Sequence, residues 1–173
     1  MNQCLAVLVG VLLTVSAHSQ SSKKEDDTGN ANNAVYASLG GPSIYLSAIY
    51  ERHMLIKPNY SLGVKGGVGS SFSAVLFPEE LSFPIGIFFL YGSKKGHLDM
   101  SLSAVPYILQ QYDNVRERSY KEARLLYVPS LAYRYQKRTG GFIGRAGISS
   151  VINRNRVSTT WTPWIDLSLG WAF

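Results

Sequence analysis

Cysteine is nearly missing from this chain: its 173 residues contain one, Cys4. Cys4 lies in an apolar run, "CLAVLVGVLLTV", that ends before Ala17-His18-Ser19, small residues at the two positions a signal peptidase reads. Residues 1–19 are therefore expected to be a signal peptide, and the processed chain to carry no thiol. Disulfide stapling and cysteine metal sites fall away together. Long apolar runs are also lacking. The first is about a dozen residues, whereas a bilayer-spanning helix needs about 20. Nor does any segment after Val35 keep a helical period over eleven residues. Histidine is scarce as well, with only His53 and His97 beyond residues 1–19, and both are expected at turns.

Residues 20–33, "QSSKKEDDTGNANN", are polar and charged without an apolar period, which predicts a flexible leader. The remainder, 34–173, is expected to be one domain. The formal net charge of +6 is compatible with anionic partners, but a solvated surface rich in Arg explains any single charge as well.

What the chain has in quantity is alternation with period two. In "PWIDLSLGWAF", Ile165, Leu167, Leu169, Trp171 and Phe173 share one face, against Asp166, Ser168, Gly170 and Ala172. In "RLLYVPSLAYRY", Leu125, Tyr127, Pro129, Leu131, Tyr133 and Tyr135 oppose Leu126, Val128, Ser130, Ala132 and Arg134. "HLDMSLSAVPY" and "YSLGVKGGVG" repeat the pattern, "FIGRAGISSVI", "IYLSAIYER" and "SFPIGIFFLYG" less cleanly, and "VYASLGG" is the shortest. Eight strands result.

The two faces decide the class. A soluble eight-stranded barrel puts Lys, Glu and Thr outside and bulky aliphatics inside. Here the polar face is mostly Ser and Gly with isolated charges, which suits a narrow interior. An Arg facing lipid near the midplane would cost about 2–4 kcal/mol, so the charges are expected to point inward. The sequence thus predicts an all-β, eight-stranded antiparallel transmembrane up-and-down β-barrel. Short links near 53–59, 92–96 and 137–140 alternate with long ones near 70–81, 108–122 and 153–162, as periplasmic turns and outer loops do. On that orientation Tyr50, Tyr60, Tyr91, Tyr133, Tyr135, Phe142, Trp171 and Phe173 form a girdle at the periplasmic interface. Pro84, Pro106 and Pro129 each remove a ladder donor, and bulges near the outer rim are expected to absorb them.

"SFPIGIFFLYG", "YVPSLAYRYQ" followed by "GGFIGRAGI", and "PWIDLSLGWAF" resemble the small outer-membrane β-barrel proteins of Bacteroidota, over roughly Ala34 to Phe173. The resemblance implies residence in the cell outer membrane. It also implies that Ile165, Leu167, Leu169, Trp171 and Phe173 are an insertion signal read by the barrel-assembly machinery. It says little of activity, because one fold hosts many functions.

Inside, the ionisable set is Glu51, Lys65, Asp99, Arg134, Arg145 and Asp166, three of each sign. They are expected to form a neutral, salt-bridged plug, since unpaired buried charges are costly. A proton or solute path would need a wider interior than eight strands leave. No GxSxG, phosphate loop or HExxH occurs, and two histidines do not make a serine triad facing the outer leaflet or a metal site. The outer loops carry Arg116, Arg118 and Lys121, and Arg154 and Arg156, which can pair with lipopolysaccharide phosphates. The reading is a monomeric, non-enzymatic barrel without cofactor or nucleic-acid partner. It contacts outer-membrane lipid and lipopolysaccharide and serves envelope structure or surface interaction through its loops. The alternatives are a lipid-A or phospholipid hydrolase and a small-solute transporter.

Overall fold

The computed structural model describes residues 29–41, 46–70, 80–92, 94–113, 118–154 and 159–173; for Glu80, 109–113, 118–122, 153–154 and 159–160 it describes the strand path alone. The expected signal peptide, 1–19, and most of the expected leader, 20–33, lie outside these residues. The strands are β1 (Asn33–Gly40), β2 (Leu46–Ile56), β3 (Tyr60–Ser70), β4 (Glu80–Ser82), β5 (Ile85–Tyr91), β6 (Gly96–Asp113), β7 (Arg118–Gln136), β8 (Gly141–Arg154) and β9 (Thr159–Ala172). β4 and β5 are two pieces of one strand, both lying between β3 and β6. Every neighbouring pair is antiparallel and β1 pairs with β9, so eight strand positions close into a barrel. There is no α-helix among the described residues.

Closure follows from the alternation. Along each strand one residue is buried and the next exposed, as in β2, where Ser47, Ile49, Glu51 and His53 turn inward and Leu46, Ala48, Tyr50 and Arg52 outward. The inward side chains must share a narrow lumen, and glycines make the room. An added Cβ at Gly170 would lie 2.4 Å from the Cβ of Tyr36 on the paired strand; at Gly63 it would lie 2.5 Å from the Phe88 ring. Bulky inward groups therefore sit beside inward glycines.

The outward face is apolar on every strand. Leu39, Leu62, Val64, Ile85, Ile87, Met100, Leu102, Leu131, Ile148, Leu167 and Leu169 are all exposed, with Ile148 64% and Leu169 65% accessible. The aromatic residues expected to ring one end are exposed too. Tyr60 pairs with Tyr91 and Phe142 with Trp171, at the end where Asn33 and Phe173 exchange two backbone hydrogen bonds.

Several details differ from the sequence reading. β6 and β7 stay paired from Gly96↔Tyr135 to Asp113↔Arg118, so only 114–117 separates them where a loop over 108–122 was expected. Likewise β8 and β9 run to Arg154 and Thr159, leaving 155–158. Alternating side chains in these segments read as loop because charged residues interrupt them, but the long ladder carries them as strand. The leader ends earlier than Asn33: Ala31 N donates to Arg138 O, and Asn32 O accepts from His53 N, which ties 31–33 across the barrel end. β2 runs on to Ile56, with a register shift between His53 and Leu55.

The prolines sit where the ladders break. Pro84 separates β4 from β5, and Gly67 N donates to its carbonyl. Pro106 accepts from Phe83 N at the same junction, so its missing donor faces the interruption rather than an intact ladder. At Pro129 the β7–β8 register passes from Tyr127↔Ile152 to Ser130↔Ser149, with no partners for Val128 and Pro129.

Candidate functional site

The interior holds the chemically distinctive groups. Strand alternation turns Glu51 of β2, Lys65 of β3, Asp99 of β6, Arg134 of β7, Arg145 of β8 and Asp166 of β9 into the lumen, where each is at most 4% exposed. The structure brings all six into one network.

Arg134 Nη1 donates to Glu51 Oε2 at 2.5 Å, a contact that crosses the lumen from β7 to β2, and lies 3.4 Å from Asp99 Oδ2. Arg145 donates from Nε to Asp99 Oδ2 at 2.9 Å, from Nη1 to Asp166 Oδ2, and from Nη2 to Ser130 Oγ at 3.0 Å. Ser38 and Ser168 each donate to Asp166 Oδ1 at 3.2 Å. Lys65 Nζ donates to Ser101 Oγ at 2.7 Å, and Ser101 shares a 2.5 Å hydrogen bond with Ser130. Three cations and three carboxylates thus cancel within one buried cluster, stitched by serine hydroxyls. Such satisfaction is what makes buried charge tolerable.

Two members were not foreseen. Tyr36 is buried and donates from its hydroxyl to Glu51 Oε1 at 2.7 Å. The rings of Tyr36 and Phe88 lie 5.9 and 6.0 Å from the Arg134 guanidinium, whose Nε and Nη2 meet no acceptor among the described residues. The alternation Ala34, Tyr36, Ser38 against Val35, Ala37, Leu39 was the available signal for Tyr36. "VYASLGG" is too short to display a period by itself.

The histidines require a correction. Neither sits in a turn: both are buried on strands and point inward. His53 Nδ1 lies 3.1 Å from Ser61 Oγ and its ring meets Phe88 edge-on at 5.0 Å; His97 Nε2 lies 3.1 Å from Gln136 O. Strand β2 simply continues past the point where its alternation weakens. The Ser61–His53 pair has the first half of a nucleophile arrangement, but among the described residues His53 Nε2 has no partner to orient it. The adjoining cavity, lined by His53, His97 and Gln136, is ≈ 30 Å³, space for water rather than for an acyl substrate. Among the described residues no group of three or more His, Cys, Asp or Glu is placed to hold a metal ion.

Arg116 and Arg156 lie outside the described residues. Arg118, Lys121 and Arg154 fall on strand ends rather than loops, opposite Asp113, Gln110 and Thr159, at the end of the barrel away from Asn33 and Phe173.

No family model, curated protein or solved structure matches this chain.

Proposed function

We propose that this chain is an integral outer-membrane β-barrel, non-enzymatic and with a packed, ion-paired interior. In this reading it serves envelope structure or surface interaction through the outer end formed by β6–β7 and β8–β9. One observation carries the proposal: the wall is inverted relative to a water-soluble barrel, with charge, serine and glycine inside and an apolar surface outside. Leaving a Leu, Ile or Phe side chain in water forgoes about 1.5–3 kcal/mol each. Soluble chains rarely expose contiguous apolar patches beyond a few hundred Å². A hydrocarbon solvent removes that cost and also explains why the backbone closes without a free edge.

The aromatic girdle supports the same reading, because amphipathic rings favour the membrane interface. Arg52 is the outward charge on β2, opposite Asn33 and Val64 at that end, where a long side chain can reach water. The cluster around Asp99 favours a structural plug over a channel, since it fills the lumen from β2 to β7. The partners implied are membrane lipid, lipopolysaccharide at the outer strand ends, and the barrel-assembly machinery during insertion, with the protein acting as a monomer.

The test is cell fractionation followed by gel electrophoresis of unboiled and boiled outer-membrane samples. Faster migration of the unboiled band is the expected outcome. A soluble protein with no heat-dependent shift would overturn the membrane assignment.

A further inference from the structure

Each of the three turns at the barrel end that holds Asn33 and Phe173 carries lysine. Lys57 lies in the turn after β2, Lys94 and Lys95 in the turn after β5, and Lys137 in the turn after β7. Arg52 stands on the outward face of β2 at the same end. All five are exposed, and none has an ion-pair partner among the described residues. Nor is any Asp or Glu exposed at this end among those residues, because Glu51 and Asp99 are enclosed in the lumen.

The lysines are held on one arc. Gly92 N donates to Asn59 O and Gln136 N to Lys95 O, both at 2.8 Å, so each turn is tied to the next. Arg138 adds a strap: its Nη2 donates to Pro58 O and to Gly92 O, the latter at 3.0 Å. That guanidinium is spent on the backbone, and the four lysine amines remain for a partner.

Depth and direction identify the partner. Lys57 is three residues from Tyr60, Lys94 three from Tyr91 and Lys137 two from Tyr135, and all three tyrosines are exposed on the wall. A strand tilted by about 40° rises about 2.5 Å per residue, so these amines lie no more than roughly 8 Å beyond the rings. The headgroup layer on each side of a bilayer is about 5–8 Å deep. With the rings at the hydrocarbon boundary, the amines fall among the phosphates. Arg52 makes the same point from the side, since it projects from the apolar wall and reaches a phosphate only by extending along it.

We propose, on the basis of the membrane reading above, that this rim is a docking surface for the headgroups of anionic glycerophospholipids, and that it selects them over zwitterionic ones. A zwitterionic head brings an ammonium that needs a carboxylate, and the rim exposes none among the described residues. A phosphate without a cation of its own is met by amines alone. A soluble anionic polymer would engage the turns but leave Arg52 on the wall unanswered.

The test uses the protein refolded into phosphatidylcholine vesicles with a trace of chain-spin-labelled phosphatidylglycerol or chain-spin-labelled phosphatidylcholine. Heat-dependent gel mobility scores folding in each sample. The immobilised fraction in the electron paramagnetic resonance spectrum should give phosphatidylglycerol an association constant about 5-fold or more above phosphatidylcholine, the worth of one basic residue near an anionic surface. Combining Lys57→Gln, Lys94→Gln, Lys95→Gln and Lys137→Gln should bring the ratio below about 2. Salt at 1 M, where the screening length is about 3 Å, should do the same.

A ratio near one in the folded wild-type protein, or one that survives the four substitutions, would overturn the rim while leaving the membrane reading intact. So would a ratio that falls instead with Arg118→Gln, Lys121→Gln and Arg154→Gln at the other end. Protein that neither enters the vesicles nor shifts on heating would overturn both. Release of the labelled phosphatidylglycerol by equimolar soluble peptidoglycan fragments would assign the rim to a polymer. A preference that appears only after Glu25→Gln, Asp26→Asn and Asp27→Asn would assign it to this chain's own leader. Either result overturns the assignment to lipid.

Discussion

Arg134 and Arg145 face each other across the β7–β8 ladder, both buried, and the carboxylate of Asp99 bridges them: its Oδ2 lies 3.4 Å from Arg134 Nη1 and 2.9 Å from Arg145 Nε. Two like charges on adjacent strands are tolerable inside a barrel only because a third residue neutralises the space between them. Asp99→Asn is therefore expected to destabilise the barrel by about 3–5 kcal/mol, the range for breaking a buried ion pair on one side. Denaturant unfolding of the purified protein in detergent, followed by tryptophan fluorescence, would measure it.

Tyr36 acts through a single hydrogen bond to Glu51. Tyr36→Phe preserves the ring against Arg134 but removes the donor, leaving Glu51 Oε1 to lose one partner. The expected loss is about 1–3 kcal/mol, less than that of Asp99→Asn in the same unfolding assay. An equal loss in both would mean that the network does not distinguish neutral from charged members.

Glycine marks the tight points of the wall. Gly170→Ala would put a Cβ 2.2 Å from Val35 O and 2.4 Å from Tyr36 Cβ at the β1–β9 seam, so strand closure should fail or weaken sharply. Gly66→Ala, whose nearest neighbour would be Pro84 O at 3.9 Å, should change stability by no more than about 0.5 kcal/mol. The fraction of protein showing the fast, unboiled gel band separates the two cases.

The solvent on the outer face is testable by charge. Leu167, on β9, pairs with Leu39 of β1 and Ala146 of β8 and is exposed. In a bilayer, Leu167→Arg should cost about 2–4 kcal/mol near the midplane. On a water-facing surface the same change should fall within about 0.5 kcal/mol. Refolding equilibria in phospholipid vesicles would decide between them.

A filled lumen also predicts electrical silence. In planar bilayers the protein should show no sustained conductance, because the Glu51–Arg134 contact crosses the interior and the cavity beside His53 holds only ≈ 30 Å³. Steady single-channel steps would favour the solute-transporter alternative.

The period of two was enough to place most strands because it records the local geometry of extended chain. In β9 the alternation of Ile165, Leu167 and Leu169 with Asp166, Ser168 and Gly170 assigns both faces without reference to anything else. Where the local pattern was short or mixed, the reading fell short. β1 exposes Leu39 and buries Tyr36, but eight residues containing two alanines carry little contrast. The tips of β6 and β7 read as loop because charges interrupt them, although their pairing continues from the strands below. His53 and His97 were misplaced for a related reason. A single polar residue near a strand end looks like the start of a turn until the neighbouring strand shows that the ladder goes on.

Alternation and the sign of each face by themselves determined an eight-stranded β architecture and the inward turn of Glu51, Lys65, Asp99, Arg134, Arg145 and Asp166, since these depend only on residues two apart in one strand. Which inward groups meet was decided by the tertiary structure alone. The Glu51–Arg134 pair joins β2 to β7, Arg145 joins Asp99 to Asp166, and Lys65 of β3 meets Ser101 of β6. Those relationships depend on register and on closure of β1 against β9, which bring together residues up to more than a hundred positions apart, and no local period encodes either.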